Sequence, residues 1–205
     1  MKLWLLLNQD HLEHGYGLEF SNLNLKDLYL SFNLFTPEEC IKILFFNDKL
    51  EFTNYTIKLE NKFVENGSSM KSQDLIDNKD TQWIFDKLTN YLSNKLEIDW
   101  KENPHGVFRN YEKGDYFLEH KDNVDKTGSD PRFFTVTVQL TPSDKYIGGD
   151  VVVDRKNIIS RKIGSAALWG SNIIHEVKNI QQGSRNSLVF FISSKHITLK
   201  TKTLI

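Results

Sequence analysis

Four residues of this chain have the types and spacing to do chemistry together: His120, Asp122, His175 and Arg185. Two imidazoles and one carboxylate suit one face of a mononuclear ferrous ion and leave the opposite face open. That open face has room for a bidentate co-substrate and for dioxygen. His120 and Asp122 lie two apart, so on a strand both side chains project from one face and reach one ion. His175 has to arrive from a second strand. Arg185 follows it by about ten positions and carries a planar fork that pairs with a carboxylate through two charge-assisted bonds. Ser187, two residues further, shares the strand face of Arg185 and adds a hydroxyl.

Such a site needs rigid elements around it, and the chain supplies two kinds. Thr36-Pro37-Glu38-Glu39 is a helix start: Thr36 caps, Pro37 suits the first helical position and Glu39 closes a capping box. That helix runs through Ile41, Leu44 and Phe45 to about Asn47-Asp48. A second helix is predicted from about Thr81 to Leu96, with Trp83, Ile84, Leu88, Tyr91 and Leu92 at helical spacing. Residues 65–69 and 73–79 read as loops. After Trp100 the texture changes to short apolar, β-branched runs. Strands are predicted over Gly106 to Tyr111, Phe117 to His120, Phe133 to Leu140, Asp150 to Asp154, Asn157 to Ser160, Ser165 to Trp169, Ile173 to Val177 and Ser187 to Ser193. Eight short strands fit a jelly roll, two antiparallel sheets face to face. The expected fold is therefore α+β, mainly β: one domain over 1–205, with 1–100 a mainly helical support and 101–205 a jelly-roll core. The helices pack on one outer sheet face, and the mouth between the sheets is where a small-molecule site is expected.

Composition narrows the partners. The 26 Lys and Arg against 27 Asp and Glu leave no basic excess for a nucleic acid. Cys40 is the only cysteine, so no intrachain disulfide forms and a reducing compartment is the default. The apolar run at Leu3 to Leu7 is too short for a signal peptide, and no stretch approaches the length of a membrane span. The setting expected is cytoplasmic, in a bacterium or in the host of a phage, with no membrane partner.

The segment from Tyr111 through Gly114 and Phe117 to His120-Lys121-Asp122 resembles the Tyr-x-x-Gly-x-x-aromatic-x-x-His-x-Asp run of the prolyl 4-hydroxylase-like branch of the Fe(II)/2-oxoglutarate oxygenases. Tyr146-Ile147-Gly148-Gly149-Asp150 is similar to the Gly-Gly-acid element of that branch, closest to the bacterial and phage PKHD-type hydroxylases. His175-Glu176-Val177 and Gly183-Ser184-Arg185 match its His-x-Val and Gly-x-Arg ending, and Phe35 to Cys40 its opening helix. The resemblance covers about residues 30 to 195. It implies a double-stranded β-helix binding Fe(II) through His120, Asp122 and His175, with 2-oxoglutarate as co-substrate, O2 as oxidant and ascorbate as an accessory reductant. Arg185 would hold the distal carboxylate of 2-oxoglutarate, Tyr111 would contact the co-substrate, and Gln139 stands where some relatives use Tyr for the same carboxylate. Arg132 matches a position at the substrate mouth, and Trp169 can wall the substrate pocket. Asp122 matters in a second way: halogenating relatives replace this carboxylate with a small residue, so its presence favours hydroxylation.

The resemblance further implies hydroxylation of a prolyl residue in a protein or peptide, or of a small molecule, with 2-oxoglutarate converted to succinate and CO2. Two other readings compete: a jelly-roll metal-binding module without catalysis, and a cupin-like metalloenzyme that does not use 2-oxoglutarate. The loop from Asn123 to Pro131, rich in Asp, Gly and Ser, is expected to move as a lid. His11 and His14 lack the spacing of a zinc helix, and His105 and His196 lack partners at ligand spacing.

Overall fold

A computed structural model describes residues 29–47, 53–55, 68–96, 98–122, 132–193 and 195–199. The expected lid at 123–131, and the histidines at 11 and 14, lie outside the described residues. In chain order the elements are β1 (Tyr29–Asn33), α1 (Pro37–Asn47), β2 (Thr53–Tyr55), β3 (Ser68–Asp74), α2 (Gln82–Leu96), β4 (Ile98–Trp100), β5 (His105–Tyr111), β6 (Tyr116–His120), β7 (Arg132–Gln139), β8 (Tyr146–Gly148), β9 (Val151–Val153), β10 (Asn157–Ile158), β11 (Ser165–Gly170), β12 (His175–Val177), β13 (Ile180–Gly183), β14 (Arg185–Ser193) and β15 (Ile197–Leu199). All eight strands expected after Trp100 are present, most with ends shifted by one or two residues. Among the described residues no helix is long and apolar enough to cross a membrane.

The pairing order is β1-β11-β7-β14-β5-β3-β6-β12-β9-β10, antiparallel throughout, with β2 added on β3. β3 is the hinge of this jelly roll: its first residues pair with β6 and its later ones with β5, so it joins the larger sheet to the smaller. Residues 68–69 and 73–74, expected as loop, belong to this strand. Its run Ser-Ser-Met-Lys-Ser-Gln-Asp has no apolar alternation to announce a strand, because between two sheets it is specified by backbone pairing.

Strand alternation sorts the core into two layers. On β7, Phe134, Val136 and Val138 face outward and meet Leu188, Phe190 and Ile192 of β14, Leu168 of β11 and the buried side of α2. Phe85 of α2 meets Phe190 edge-on, with centroids 5.9 Å apart. α1 starts as its capping box predicts: the Thr36 N–H donates to Glu39 Oε2 at 2.7 Å and the Glu39 N–H to Thr36 Oγ1 at 3.2 Å. The second layer lies between the sheets, where Tyr111, Ala167 and Trp169 of the large sheet pack against Val151, Val153 and Val177 of the small one. The N-terminal hundred residues thus supply strands β1 to β4 as well as the two helices that back the large sheet.

Cys40 is fully buried against the large sheet, and burial pushes its thiol up to about 12. Folded protein at pH 8 is therefore expected to resist a thiol-specific reagent that labels the urea-unfolded chain at once. Equal labelling rates in both states would contradict that packing.

Candidate active site

Three metal-capable side chains converge between the sheets. One ligand atom from each of His120, Asp122 and His175 can be chosen so that all lie within 4.8 Å of one another. His120 ends β6 and His175 opens β12, and the two are direct partners in the β6–β12 ladder, which sets their rings 4.2 Å apart. Asp122 differs from the sequence expectation: the chain leaves the strand after His120, so i, i+2 alternation is not what aims it. A hydrogen bond from the Asp122 N–H to Ser171 O, 2.8 Å, turns it inward from the β11–β12 side.

Each ring is oriented from behind. His120 Nδ1 lies 2.7 Å from Leu118 O and His175 Nδ1 3.1 Å from Ile173 O. A carbonyl only accepts, so both Nδ1 atoms carry hydrogen and both Nε2 atoms face Asp122. His120 Nε2 stands 3.5 Å from Asp122 Oδ1, and His175 Nε2 3.1 Å from Oδ2. Burial alone would raise the pKa of Asp122, but His175 and His120 outweigh it and hold the carboxyl far below the usual range. Burial alone would lower His175, and here the Asp122 carboxylate prevails and raises it. A buried carboxylate that demands positive charge between two oriented imidazoles is a donor set that fits Fe(II).

Thr135, buried on the inner face of β7, donates its hydroxyl to Asp122 Oδ2 at 2.7 Å. The sequence reading missed it. Its signal is the alternation Thr135, Thr137, Gln139 opposite an apolar face, which marks a polar interior. Supporting groups of this kind are worth about 10–100-fold in metal affinity. Thr135→Val is expected to weaken Mn(II) binding by that factor, with Thr135→Ser restoring it; calorimetric titration decides.

The second half of the interior is built around Arg185. Its Cα is paired with Tyr111 across the β5–β14 ladder, and the guanidinium carbon lies 5.5 Å from the Tyr111 ring centroid. Arg185 is 2% exposed. Its Nε donates to Gln139 Oε1 at 3.0 Å and its Nη1 to Ser187 Oγ at 3.4 Å, whereas Nη2 is buried with no partner. No carboxylate of the described residues pairs with this charge. Gly149 keeps the space open: a Cβ there would strike Ile180 Cδ1 and stand 3.4 Å from Arg185 Cδ. Gln139 is in contact with Arg185 as expected, but both hydrogens of its amide are engaged, with Thr141 O at 2.9 Å and Tyr146 Oη at 3.0 Å. Tyr111 is buried, and burial raises its phenol above the ordinary value.

Arg132, expected at the substrate mouth, and Trp169, expected to wall the substrate pocket, have different surroundings. Arg132 starts β7 with its guanidinium carbon 3.9 Å from the Phe191 ring centroid. Trp169 is fully buried on the inner face of β11, its ring 4.9 Å from that of His175, and its Nε1 has no partner.

Residues 106–193, which include all of these positions, match the family model of the 2OG-Fe(II) oxygenase superfamily. Over that segment the chain is similar to the 2OG-Fe(II) oxygenases. A curated PKHD-type hydroxylase from Paraburkholderia phymatum is 31% identical over 96 residues, 43% of this chain and 42% of that protein, so the match spans less than half of its length. Among solved structures, a 2OG-Fe(II) oxygenase family oxidoreductase from Burkholderia pseudomallei superposes with a TM-score of 0.61 at 16% identity, covering 83% of this chain and 87% of that one. A Trichoplax adhaerens prolyl hydroxylase, solved with a peptide fragment of a hypoxia inducible factor oxygen degradation domain, gives 0.62 at 16% identity over 86% and 88%. These likenesses show that the jelly-roll fold of this chain is shared with those proteins.

Proposed function

We propose that the chain is an Fe(II)/2-oxoglutarate-dependent dioxygenase that hydroxylates a substrate C–H bond, a prolyl residue of a protein or peptide being the substrate class. The observation that carries the reading is one interior holding both the His120, Asp122 and His175 donors and a buried Arg185 whose Nη2 has no partner. A buried guanidinium without a counter-charge is costly, and a carboxylate-bearing ligand relieves that cost.

In this reading His120, Asp122 and His175 hold the iron, and Thr135 fixes the carboxylate. Arg185, steadied by Gln139 and Ser187, pairs with the distal carboxylate of 2-oxoglutarate, with Tyr111 packed beside the guanidinium. Bound iron and 2-oxoglutarate would supply the oxidising chemistry with dioxygen as the oxidant, one oxygen atom going to the substrate C–H bond and the other to succinate, with release of CO2. The chain's own part is placement: a buried interior walled by Trp169 and Val153 keeps bulk water from the reacting centre. Arg132 at the start of β7 meets the substrate. Hydroxylation is supported by the PKHD-type hydroxylase relative, and the prolyl assignment by the peptide-bound prolyl hydroxylase neighbour. The lone buried thiol of Cys40 suits a reducing cytoplasm.

The test is succinate formation with Fe(II), 2-oxoglutarate and a panel of proline-containing peptides, read beside mass spectrometry of the peptides. Turnover with a gain of one oxygen on proline supports the assignment. Hydroxylation of another residue overturns the prolyl part, and no decarboxylation under any condition overturns the enzyme class.

A further inference from the structure

Gln139 fixes the direction of every hydrogen bond around Arg185. An arginine Nε can only donate, so the amide oxygen of Gln139 must face it, and the amide nitrogen must face Thr141 O and Tyr146 Oη. The Tyr146 hydroxyl therefore accepts from the amide and retains its own hydrogen to donate. Among the described residues that hydrogen has no acceptor. Arg185 Nη2, also buried, lacks one too.

These two donors line one small region, because Arg185 and Tyr146 are bound to opposite ends of a single carboxamide. The turn at Gly149 confirms their closeness: a Cβ there would stand 3.4 Å from both Arg185 Cδ and Tyr146 Cε2. The phenol is also held in place. Tyr146 is 4% exposed, the guanidinium carbon of Arg161 lies 4.3 Å from its ring centroid, and Arg161 Nη2 donates to Tyr146 O at 2.8 Å. Two oriented buried donors that share a neighbour and lack an acceptor call for an anionic oxygen pair.

We propose that Tyr146 is a co-substrate-binding residue, whose hydroxyl donates beside Arg185 to the distal carboxylate of 2-oxoglutarate. It thereby supplies the donor that Gln139, with both amide hydrogens engaged, does not. The inference rests on reading the Arg185 region as a 2-oxoglutarate pocket, and it adds to that pocket a residue from a separate strand, β8.

Anaerobic titration of Fe(II)-loaded protein with 2-oxoglutarate and with 2-oxobutanoate, which has the same keto-acid head and no distal carboxylate, tests it by the chelate absorption. Wild type is expected to prefer 2-oxoglutarate. Tyr146→Phe and Tyr146→Leu are both expected to lose about tenfold or more of 2-oxoglutarate affinity, the worth of a hydrogen bond to a charged group, with 2-oxobutanoate unchanged. Either folded variant keeping the wild-type preference overturns the role of Tyr146, as does an equal loss for both acids. A wild type without preference between the two acids overturns the pocket reading itself and this proposal with it.

Discussion

Asp122→Ala is expected to abolish metal retention and turnover together. The carboxylate is the only anionic donor of the set, and it sits between two imidazoles whose Nε2 atoms are 3.5 and 3.1 Å from its oxygens. Loss of a ligand must cost more than loss of a supporting group, so the fall in Mn(II) or Fe(II) affinity exceeds about a hundredfold. Asp122→Asn separates charge from shape, because it keeps an oxygen that accepts from Thr135 and loses the negative charge. Metal content after desalting and calorimetric titration are the measurements. Stoichiometric, tight metal binding by the alanine variant would remove Asp122 from the ligand set.

Arg185→Leu is expected to separate function from stability. Wild type carries a fully buried guanidinium whose partners are neutral, Gln139 and Ser187, and whose Nη2 has none. Truncating one member of a buried charge pair costs about 2–5 kcal/mol of binding, roughly thirty- to several-thousand-fold in 2-oxoglutarate affinity. The same substitution removes a desolvated charge from the ligand-free protein and fills the space with carbon. Its unfolding temperature is therefore expected to stay level or rise. Co-substrate titration and thermal unfolding of one sample read both effects. Unchanged 2-oxoglutarate affinity would sink the assignment, and a large loss of stability would make Arg185 a structural residue.

Much of this site could be read before the fold was known, and the boundary has physical causes. His120, Asp122, His175 and Arg185 are chemistry-bearing residues at fixed spacing, and the β-branched runs between them are specified by a buried face, so both are visible in sequence. β3 was not visible, because a strand that bridges two sheets is held by backbone pairing and carries Ser, Lys, Gln and Asp. The aim of Asp122 was misread for a related reason: a hydrogen bond from its own N–H to Ser171 O, 49 residues away, replaces strand alternation. Gln139 was legible as a neighbour of the co-substrate anchor. That its amide is fully engaged follows only from Thr141, Tyr146 and Arg185 meeting in space. Thr135 was legible in principle, as part of a polar alternation opposite Phe134, Val136 and Val138.

The most direct measurement is anaerobic titration of Fe(II) and 2-oxoglutarate into metal-free protein, watching for the weak visible charge-transfer band of the chelate. Wild type is expected to develop the band, and His175→Ala, with one of three ligands gone, is expected to lack it. A wild type that binds the metal and develops no band would contradict the account, leaving the cupin-like metalloenzyme in its place.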